Sequence, residues 1–298
     1  MDQFLGLSSS CPNRDQAKAI LVPVPFDLTT CYKAGARDGP ARIIEASPHM
    51  EFYDEETDSE AFRKGIFTAT PIEPELPPEN MVRKVREAVI PIVRSGQIPC
   101  VIGGDHSVSI GAIEAIYSEL GRLNLVHFDA HTDLRDSYLG SRYSHACVMR
   151  RVWGLGDIIQ IGVRAVSREE MEFLKGQRHW PTCRPIWANM VIEDREASIA
   201  ETISRLKQQP TYVTIDLDCL DPSIMPAVGT PEPGGLSWSD ITKFLKAIAA
   251  STMVVGFDVV ELAPIPGYHA ADFLAARLIY KFLSYIFNIK NLIPVDQD

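Results

Sequence analysis

The chain reads as an α/β protein, a three-layer αβα arrangement around a mainly parallel sheet. Three observations predict this. Short apolar runs alternate with helix-like stretches from end to end, the runs are unbroken rather than alternating in polarity, and no repeat or Ser/Gly linker interrupts the pattern. Unbroken apolar runs suit strands covered on both faces, because every side chain then meets a packed layer whichever way it points.

Six strands are predicted, at Ala19 to Pro25, Ile98 to Ile102, Leu123 to Phe128, Ile158 to Val163, Tyr212 to Leu217 and Met253 to Val260. The clearest helix spans Glu79 to Arg94, where Val82, Val85, Val89, Ile92 and Val93 form one apolar face and Arg83, Lys84 and Glu87 the other; Gly96 marks its end. Further helices are predicted to begin at Ser107, Ser167, Glu196, Ser237 and Ala270, several opened by serine or acidic groups that satisfy the free backbone N–H groups of a first turn. At 298 residues the chain is long enough for two domains, but single α/β domains of this size are common, and one domain over residues 1–298 is the expectation.

The composition, 46% apolar and 23% charged, is that of an ordinary globular protein with a sizeable core. A net charge of -10 with no local basic stripe disfavours nucleic acid and anionic membrane surfaces as partners. The start, Met1 to Cys11, lacks the basic end and apolar stretch of a secretion signal, and no later run approaches the roughly 20 apolar residues of a membrane span, so a cytoplasmic location is expected. Cys11, Cys31, Cys100, Cys147, Cys183 and Cys219 are far apart without a Cys-x-x-Cys pair, and read as free, mostly buried thiols.

The chemistry is carried by acidic and imidazole groups placed at the ends of separate apolar runs: His106, then Asp129, His131 and Asp133, then Asp216 and Asp218, then Glu261. In an open parallel sheet, ligands bind beyond the carboxyl ends of the strands, where all of these fall. Asp129, His131 and Asp133 alternate, so an extended segment would point them to the same side. Singly, each Asp reads equally well as a helix cap or turn anchor, and His106 as a core histidine bonded to backbone. Together they would repel one another and drive their pKa values up unless cations sat among them.

Oxygen and nitrogen donors without thiolate indicate hard or borderline divalent ions, manganese before a structural zinc. Two such ions about 3.5 to 4 Å apart acidify a shared water, which makes hydrolysis the reaction class. Four Asp carboxylates balance two dications, so a hydroxide and Glu261 leave the centre negative and a cationic substrate fits it. A guanidinium is planar and always protonated, and it matches a carboxylate fork such as that of Glu261.

These residues resemble the ureohydrolases, the family of agmatinase and arginase. The matching stretches are Gly103-Gly104-Asp105-His106-Ser107, Asp129-Ala130-His131-Thr132-Asp133, Ser144-His145, Asp216 to Pro222, and Gly229-Thr230-Pro231-Glu232-Pro233-Gly234-Gly235. Pro25-Phe26-Asp27 and Gly35 to Pro40 extend the likeness over essentially the whole chain. The resemblance implies an eight-stranded parallel sheet flanked by helices, two Mn2+ per chain, and assembly as a homotrimer or homohexamer. It further implies that His106, Asp129, Asp133 and Asp216 hold one manganese and Asp129, His131, Asp216 and Asp218 the other, with Asp129 and Asp216 bridging. Asp133 would orient the nucleophile, His145 shuttle a proton, Glu261 bind the guanidinium and Thr230 line the pocket. His145 is followed by Ala146-Cys147 where many relatives have glycine, and Cys147 reads as packing rather than as a nucleophile.

Arginases carry a Thr, Asn and Ser-rich loop after this aspartate run; here it is Leu134 to Tyr143, which looks like the agmatinase loop. Agmatine, giving putrescine and urea in polyamine biosynthesis, is therefore the expected substrate. Arg135 and Arg142 read as solvent-facing or paired with Asp136. The alternatives are another ureohydrolase such as guanidinobutyrase, arginase or formimidoylglutamase, a single-zinc deacetylase of the same fold, a thiol enzyme using Cys147 or Cys219, and a non-catalytic oligomer.

Overall fold

A computed structural model describes residues 3–6, 13–178 and 183–289, so Cys11 lies outside the described residues. Eight strands form one sheet: β1 (Ala19–Val24), β2 (Ile66–Thr68), β3 (Ile98–Gly103), β4 (Leu123–Phe128), β5 (Gly156–Val163), β6 (Ile186–Trp187), β7 (Thr211–Asp216) and β8 (Val254–Val260). Their order is β2-β1-β3-β8-β7-β4-β5-β6, and every pairing is parallel. The six expected strands lie within a residue or two of their observed bounds. Absent from the sequence reading were β2 and β6, edge strands of three and two residues that leave too short a run to stand out.

The helices are α1 (Gly39–Ala46), α2 (Pro78–Arg94), α3 (Ser109–Leu120), α4 (Val148–Arg151), α5 (Arg168–Lys175), α6 (Ala188–Glu193), α7 (Arg195–Arg205), α8 (Trp238–Ser251) and α9 (Ala270–Asn288). Ser167 and Ser237 each close a capping box at the start of α5 and α8, by the hydrogen bonding expected of them. Two cores flank the sheet. On one face Leu21, Ile102, Phe128, Ile215 and Phe257 pack with Ile43 of α1, Phe244 of α8 and Ile279 of α9. On the other Ile20, Val22, Val101 and Leu125 pack with Val85 of α2, Ile113 of α3 and Val148 of α4. Residues 20 and 21 of β1 fall into opposite cores, the physical reason that the run is apolar throughout.

Because all strands are parallel, their carboxyl ends share one edge, and the four that carry the chemistry, β3, β8, β7 and β4, are consecutive in the middle of the sheet. Register tightens the grouping: Phe128 pairs with Ile215 and Asp216 with Val260, so Asp129 and Asp216 stand level on adjacent strands and Glu261 follows one residue beyond the partner of Asp216. Strands lie about 4.8 Å apart, so these three strand ends span roughly 10 Å. At the head of β3 the chain passes so close to the loop after β1 that a Cβ on Gly104 would sit 2.0 Å from the Phe26 carbonyl oxygen. Among the described residues no helix is long and apolar enough to cross a membrane.

Gly111 brings α3 against α2 in the same way, since a Cβ there would meet the Val82 carbonyl oxygen at 2.2 Å. Gly111→Ala is expected to destabilise the protein by about 1–3 kcal/mol, seen as a lower urea midpoint at unchanged m-value. An unchanged midpoint would mean that the two helices separate freely.

Candidate functional site

The site begins where β3 ends. The Asp105 carboxylate accepts from Ser107 N at 3.1 Å and from Thr29 N and Oγ1 at 3.0 Å each, pinning the turn to the loop after β1. His106 opens a short 3-10 turn, His106–Val108, and α3 follows from Ser109 rather than from Ser107. The His106 ring is buried, with Nε2 2.8 Å from Thr214 Oγ1. Its Nδ1 lies 3.0 Å from Asp133 Oδ2, 3.3 Å from Asp129 Oδ2 and 3.4 Å from Asp216 Oδ2, yet makes no hydrogen bond to any of them. A buried nitrogen facing three carboxylates without a bond is the geometry of a metal donor.

Past β4 the extended reading of Asp129, His131 and Asp133 needs correction. The chain bends at Ala130 and His131, and Asp133 adopts φ 52°, the left-handed region that non-glycine residues seldom occupy. A straight segment would keep all three on one line; the bend instead sends Asp133 toward His106 and His131 toward Asp218, with His131 Nδ1 3.0 Å from Asp218 Oδ2. Glu170 of α5 holds this conformation, its Oε1 accepting from Thr132 Oγ1 at 2.7 Å and Leu134 N at 3.0 Å.

Asp216, the last residue of β7, caps the turn that follows: its Oδ1 accepts from Asp218 N at 2.8 Å. Capping and clustering therefore coexist in one carboxylate. Asp218 Oδ1 accepts from Ala130 N at 3.0 Å and its Oδ2 from Thr230 Oγ1 at 3.4 Å. Glu261 has φ 69°, donates its N–H to the Gly104 carbonyl at 2.8 Å and accepts from His106 N through Oε1 at 2.8 Å. Two residues of positive φ, Asp133 and Glu261, thus sit in one site, Glu261 held by its own bonds and Asp133 by those of its neighbours Thr132 and Leu134.

A cavity of about 360 Å3 opens over this edge, lined by His131, Asp133, His145, Asp216, Asp218, Thr230 and Glu261, with Thr30 to Lys33 and the Arg135 and Tyr138 loop at its sides. His106 and Asp129, each 1% exposed, lie behind the lining. His145 begins the turn His145–Cys147, its backbone N–H donating to Thr29 Oγ1 at 2.9 Å and its Nδ1 3.3 Å from the same oxygen. Every residue singled out for metal, substrate or catalysis thus lines this cavity or, as His106 and Asp129, lies directly behind it.

The electrostatics are those of crowded like charges. Burial, then Asp218 and Asp129, push the Asp216 carboxyl well above the usual range, and burial with Asp129 pushes Asp133 up. For Asp129 burial raises, but His127, His106 and His131 outweigh it and hold the group well below. Glu261 is pushed up to about 8 by burial, despite the opposing field of His145. For His145 burial lowers, but a bond to Cys31 and the carboxylates of Glu261, Asp133 and Asp105 win and push it up to about 9.

Among the described residues two donor sets have ligand atoms within 4.8 Å of one another: His106, His127, Asp129 and Asp133, and Asp129, His131 and Asp218. Asp129 belongs to both; Asp216, expected to be shared like it, belongs to neither, its Oδ2 lying 3.4 Å from His106 Nδ1. His127 is otherwise engaged: the Gln160 amide donates to His127 Nδ1 at 2.9 Å and to the Thr132 carbonyl at 2.8 Å, leaving His127 Nε2–H to bond Asp129 Oδ2 at 2.7 Å. It supports the carboxylate. The sequence reading passed over His127, Gln160, Thr214 and Glu170, because single polar residues inside apolar runs or helices give no pattern; the one available signal was that such groups must find partners.

One expectation for the loops is amended. Arg142 pairs with Asp136 at 3.1 Å, as does Arg151 at 2.6 Å, but Arg135 stacks over the Tyr138 ring at 5.1 Å and lines the cavity. Cys31 is exposed and lines the cavity beside His145. Cys147 is buried, with its thiol pushed up to about 11 by burial and Asp133, consistent with packing rather than nucleophilic use.

A family model described as the arginase family matches residues 17–284. An N(1)-aminopropylagmatine ureohydrolase of Synechocystis sp. is 36% identical over 291 residues, 95% of this chain and 93% of that protein. An agmatinase of Bacillus subtilis is 35% identical over 266 residues, 86% and 87% of the two. Among solved structures, the agmatine ureohydrolase of Thermoplasma volcanium superposes with a TM-score of 0.85 at 29% identity, covering 98% of this chain and 96% of that one.

Groups with raised folded-state pKa values stabilise the fold below their unfolded values and lose that contribution as pH rises through the folded ones. For Glu261 the window runs from 4.5 to about 8, and for His145 from 6.5 to about 9. The Tm of the metal-free protein is therefore expected to fall between about pH 5 and 9, and Mn2+ to raise it more at pH 8 than at pH 5, since protons compete with the cation for the carboxylates. A metal-free Tm that climbs across this window contradicts the electrostatic reading.

Proposed function

The chain belongs to the arginase family of ureohydrolases, and from that membership we propose that it is a binuclear-manganese hydrolase releasing urea from agmatine. The other product is putrescine, which places the reaction in polyamine formation. The observation that carries the reading is the unbonded, buried Nδ1 of His106 facing the Asp129, Asp133 and Asp216 carboxylates. His106, Asp129, Asp133 and Asp216 would hold one ion and Asp129, His131, Asp216 and Asp218 the other, with Asp129 and Asp216 shared. Six oxygen and nitrogen donors without thiolate suit Mn2+. Such ions supply Lewis-acid polarisation and an acidified water.

The protein groups account for the rest. Glu261 takes the guanidinium: its Oε1 is anchored by His106 N, which leaves Oε2 to meet the planar cation, and the arriving positive charge draws the burial-raised carboxyl to its ionised form. Thr230 and His145 line the same cavity and limit how the cation sits. Asp133 accepts a proton from the attacking water as the new C–O bond forms at the guanidinium carbon. His145, whose raised pKa keeps it protonated near neutrality, donates to the departing amine nitrogen as the C–N bond breaks. Urea and the amine leave.

A longer polycation is the second reading, because Glu232 lines the cavity with a carboxylate that meets no cation among the described residues. Arg135 in the same wall would instead favour a guanidino acid such as guanidinobutyrate. We further propose that the chain is a single domain acting in the cytoplasm as a homotrimer or homohexamer, with neither nucleic acid nor membrane as partner; light scattering measures the assembly.

Incubation of the Mn2+-loaded protein with agmatine, aminopropylagmatine, guanidinobutyrate, free guanidine and arginine is expected to release urea fastest from agmatine. Preference for aminopropylagmatine would select the second reading, and preference for a carboxylate-bearing compound would overturn both. Glu261→Gln should lower kcat/KM for agmatine by about 10² or more, as expected when one partner of a buried charge pair is neutralised. Asp129→Asn is expected to abolish turnover and reduce bound Mn2+ below two per chain; full urea production by that variant would refute the shared-ligand assignment.

A further inference from the structure

Beneath His106 the sheet interior is polar where packing alone would place aliphatic side chains. Thr214 and Asp258 are register partners on the adjacent strands β7 and β8, both at most 1% exposed, and their sequence neighbours Val213, Ile215, Phe257 and Val259 are all buried apolar residues. Asp258 lies outside every motif that marks the site. Its Oδ1 accepts from Thr214 Oγ1 at 2.6 Å and its Oδ2 from Tyr212 OH at 2.7 Å, while Thr214 Oγ1 lies 2.8 Å from His106 Nε2. No cation pairs with Asp258 among the described residues.

The protons in this chain can be assigned one by one. Burial pushes the Asp258 carboxyl up, while the field of His106 and the bonds from Thr214 and Tyr212 favour its ionised form; that form only accepts, so both hydroxyl hydrogens then go to Asp258. The Thr214 oxygen is then left with lone pairs toward His106, and Nε2 must be the nitrogen that carries hydrogen. In neutral imidazole this makes Nδ1 the lone-pair atom, and Nδ1 is the atom that faces Asp129, Asp133 and Asp216. Asp258 thus determines which ring nitrogen is free without approaching the centre itself.

We propose that Asp258 is a positioning residue for the metal centre, acting through Thr214 to hold His106 in its Nε2–H tautomer with Nδ1 presented to the ion. The inference rests on the assignment of His106 as a ligand made above. It also accounts for a buried carboxylate without a counter-cation in the middle of a sheet, an arrangement that desolvation opposes unless both oxygens are satisfied and the network serves something beyond packing.

The competing view is that Asp258 and Tyr212 merely tie β7 to β8, and four variants separate the two. Thr214→Val keeps the shape and removes the hydroxyl; Thr214→Ser restores it. Asp258→Asn offers only one carbonyl oxygen to two hydroxyl donors, and Tyr212→Phe cuts the tie to Tyr212 while leaving the relay to His106 intact. Mn2+ affinity, read by electron paramagnetic resonance of the free ion in titrations of the metal-free full chain, is expected to fall about 10–100-fold in Thr214→Val and Asp258→Asn, the range for outer hydrogen-bond partners of a metal-binding histidine. Thr214→Ser and Tyr212→Phe should stay close to the parent. In Cd2+-loaded, 15N-histidine-labelled protein the His106 ring should show hydrogen on Nε2.

Parent-like Mn2+ affinity in Thr214→Val overturns the proposal, as does a loss in Tyr212→Phe equal to that in Asp258→Asn. Should Asp258→Asn fail to fold, the near-isosteric Thr214→Val and its Thr214→Ser rescue still decide. Absence of Mn2+ uptake by the unaltered protein would sink the metal-centre reading and this inference together. Normal uptake by both the unaltered protein and Thr214→Val would sink this inference alone.

Discussion

Like charges brought together out of water constrain this molecule more than any other feature. Asp129, Asp133, Asp216, Asp218 and Glu261 are each at most 7% exposed along one edge of a sheet, and their carboxyl groups are pulled in opposite directions, Asp129 down and Asp216, Asp133 and Glu261 up. Carboxylates in that condition persist only with compensating positive charge or by taking up protons. The neighbouring imidazoles supply part of the compensation; divalent ions would supply the rest, with a geometry that imidazolium cannot offer.

Holding such groups against their repulsion falls to backbone rather than to side-chain packing. Four adjacent parallel strands deliver their ends to the same place, and the register of β7 with β4 and β8 sets Asp216 between Asp129 and Glu261. Beyond the strands, three carboxylates are tied by a backbone N–H from a different segment: Asp105 to Thr29, Asp218 to Ala130, Glu261 to His106. These ties cross long stretches of chain, so the site is as much a staple for the loops as it is a reaction centre. The positive φ of Glu261 is held by its bonds to His106 and Gly104, and that of Asp133 by Glu170 through Thr132 and Leu134 on either side.

Specificity has a different physical origin from catalysis here. The inner end of the cavity gathers Asp133, Asp216, Asp218 and Glu261 with His131 and His145, and the excess of carboxylates suits a cationic group. The walls are mixed: Glu232 and Arg135 carry opposite charge, and Tyr138 and Tyr32 add aromatic surface. On the proposed function, discrimination among guanidino compounds would depend on what the far end of the substrate carries, because charge at that end would meet a favourable or an unfavourable wall group.

The apolar runs by themselves determined the fold class and six of the eight strands, since burial on both faces demands unbroken hydrophobic residues in β1, β3, β4, β5, β7 and β8. The clustered donors likewise pointed to one cation centre, because their number at strand ends exceeds what capping requires. Strand order, the bend that parts His131 from Asp133, the closeness of Arg135 to the cavity and the polar relay of Thr214 and Asp258 were decided only in three dimensions. Each depends on contacts between residues far apart in the chain: a short edge strand, a left-handed Asp or a buried Asp between Phe257 and Val259 looks unremarkable alone, and acquires its meaning from the neighbour that the fold places against it.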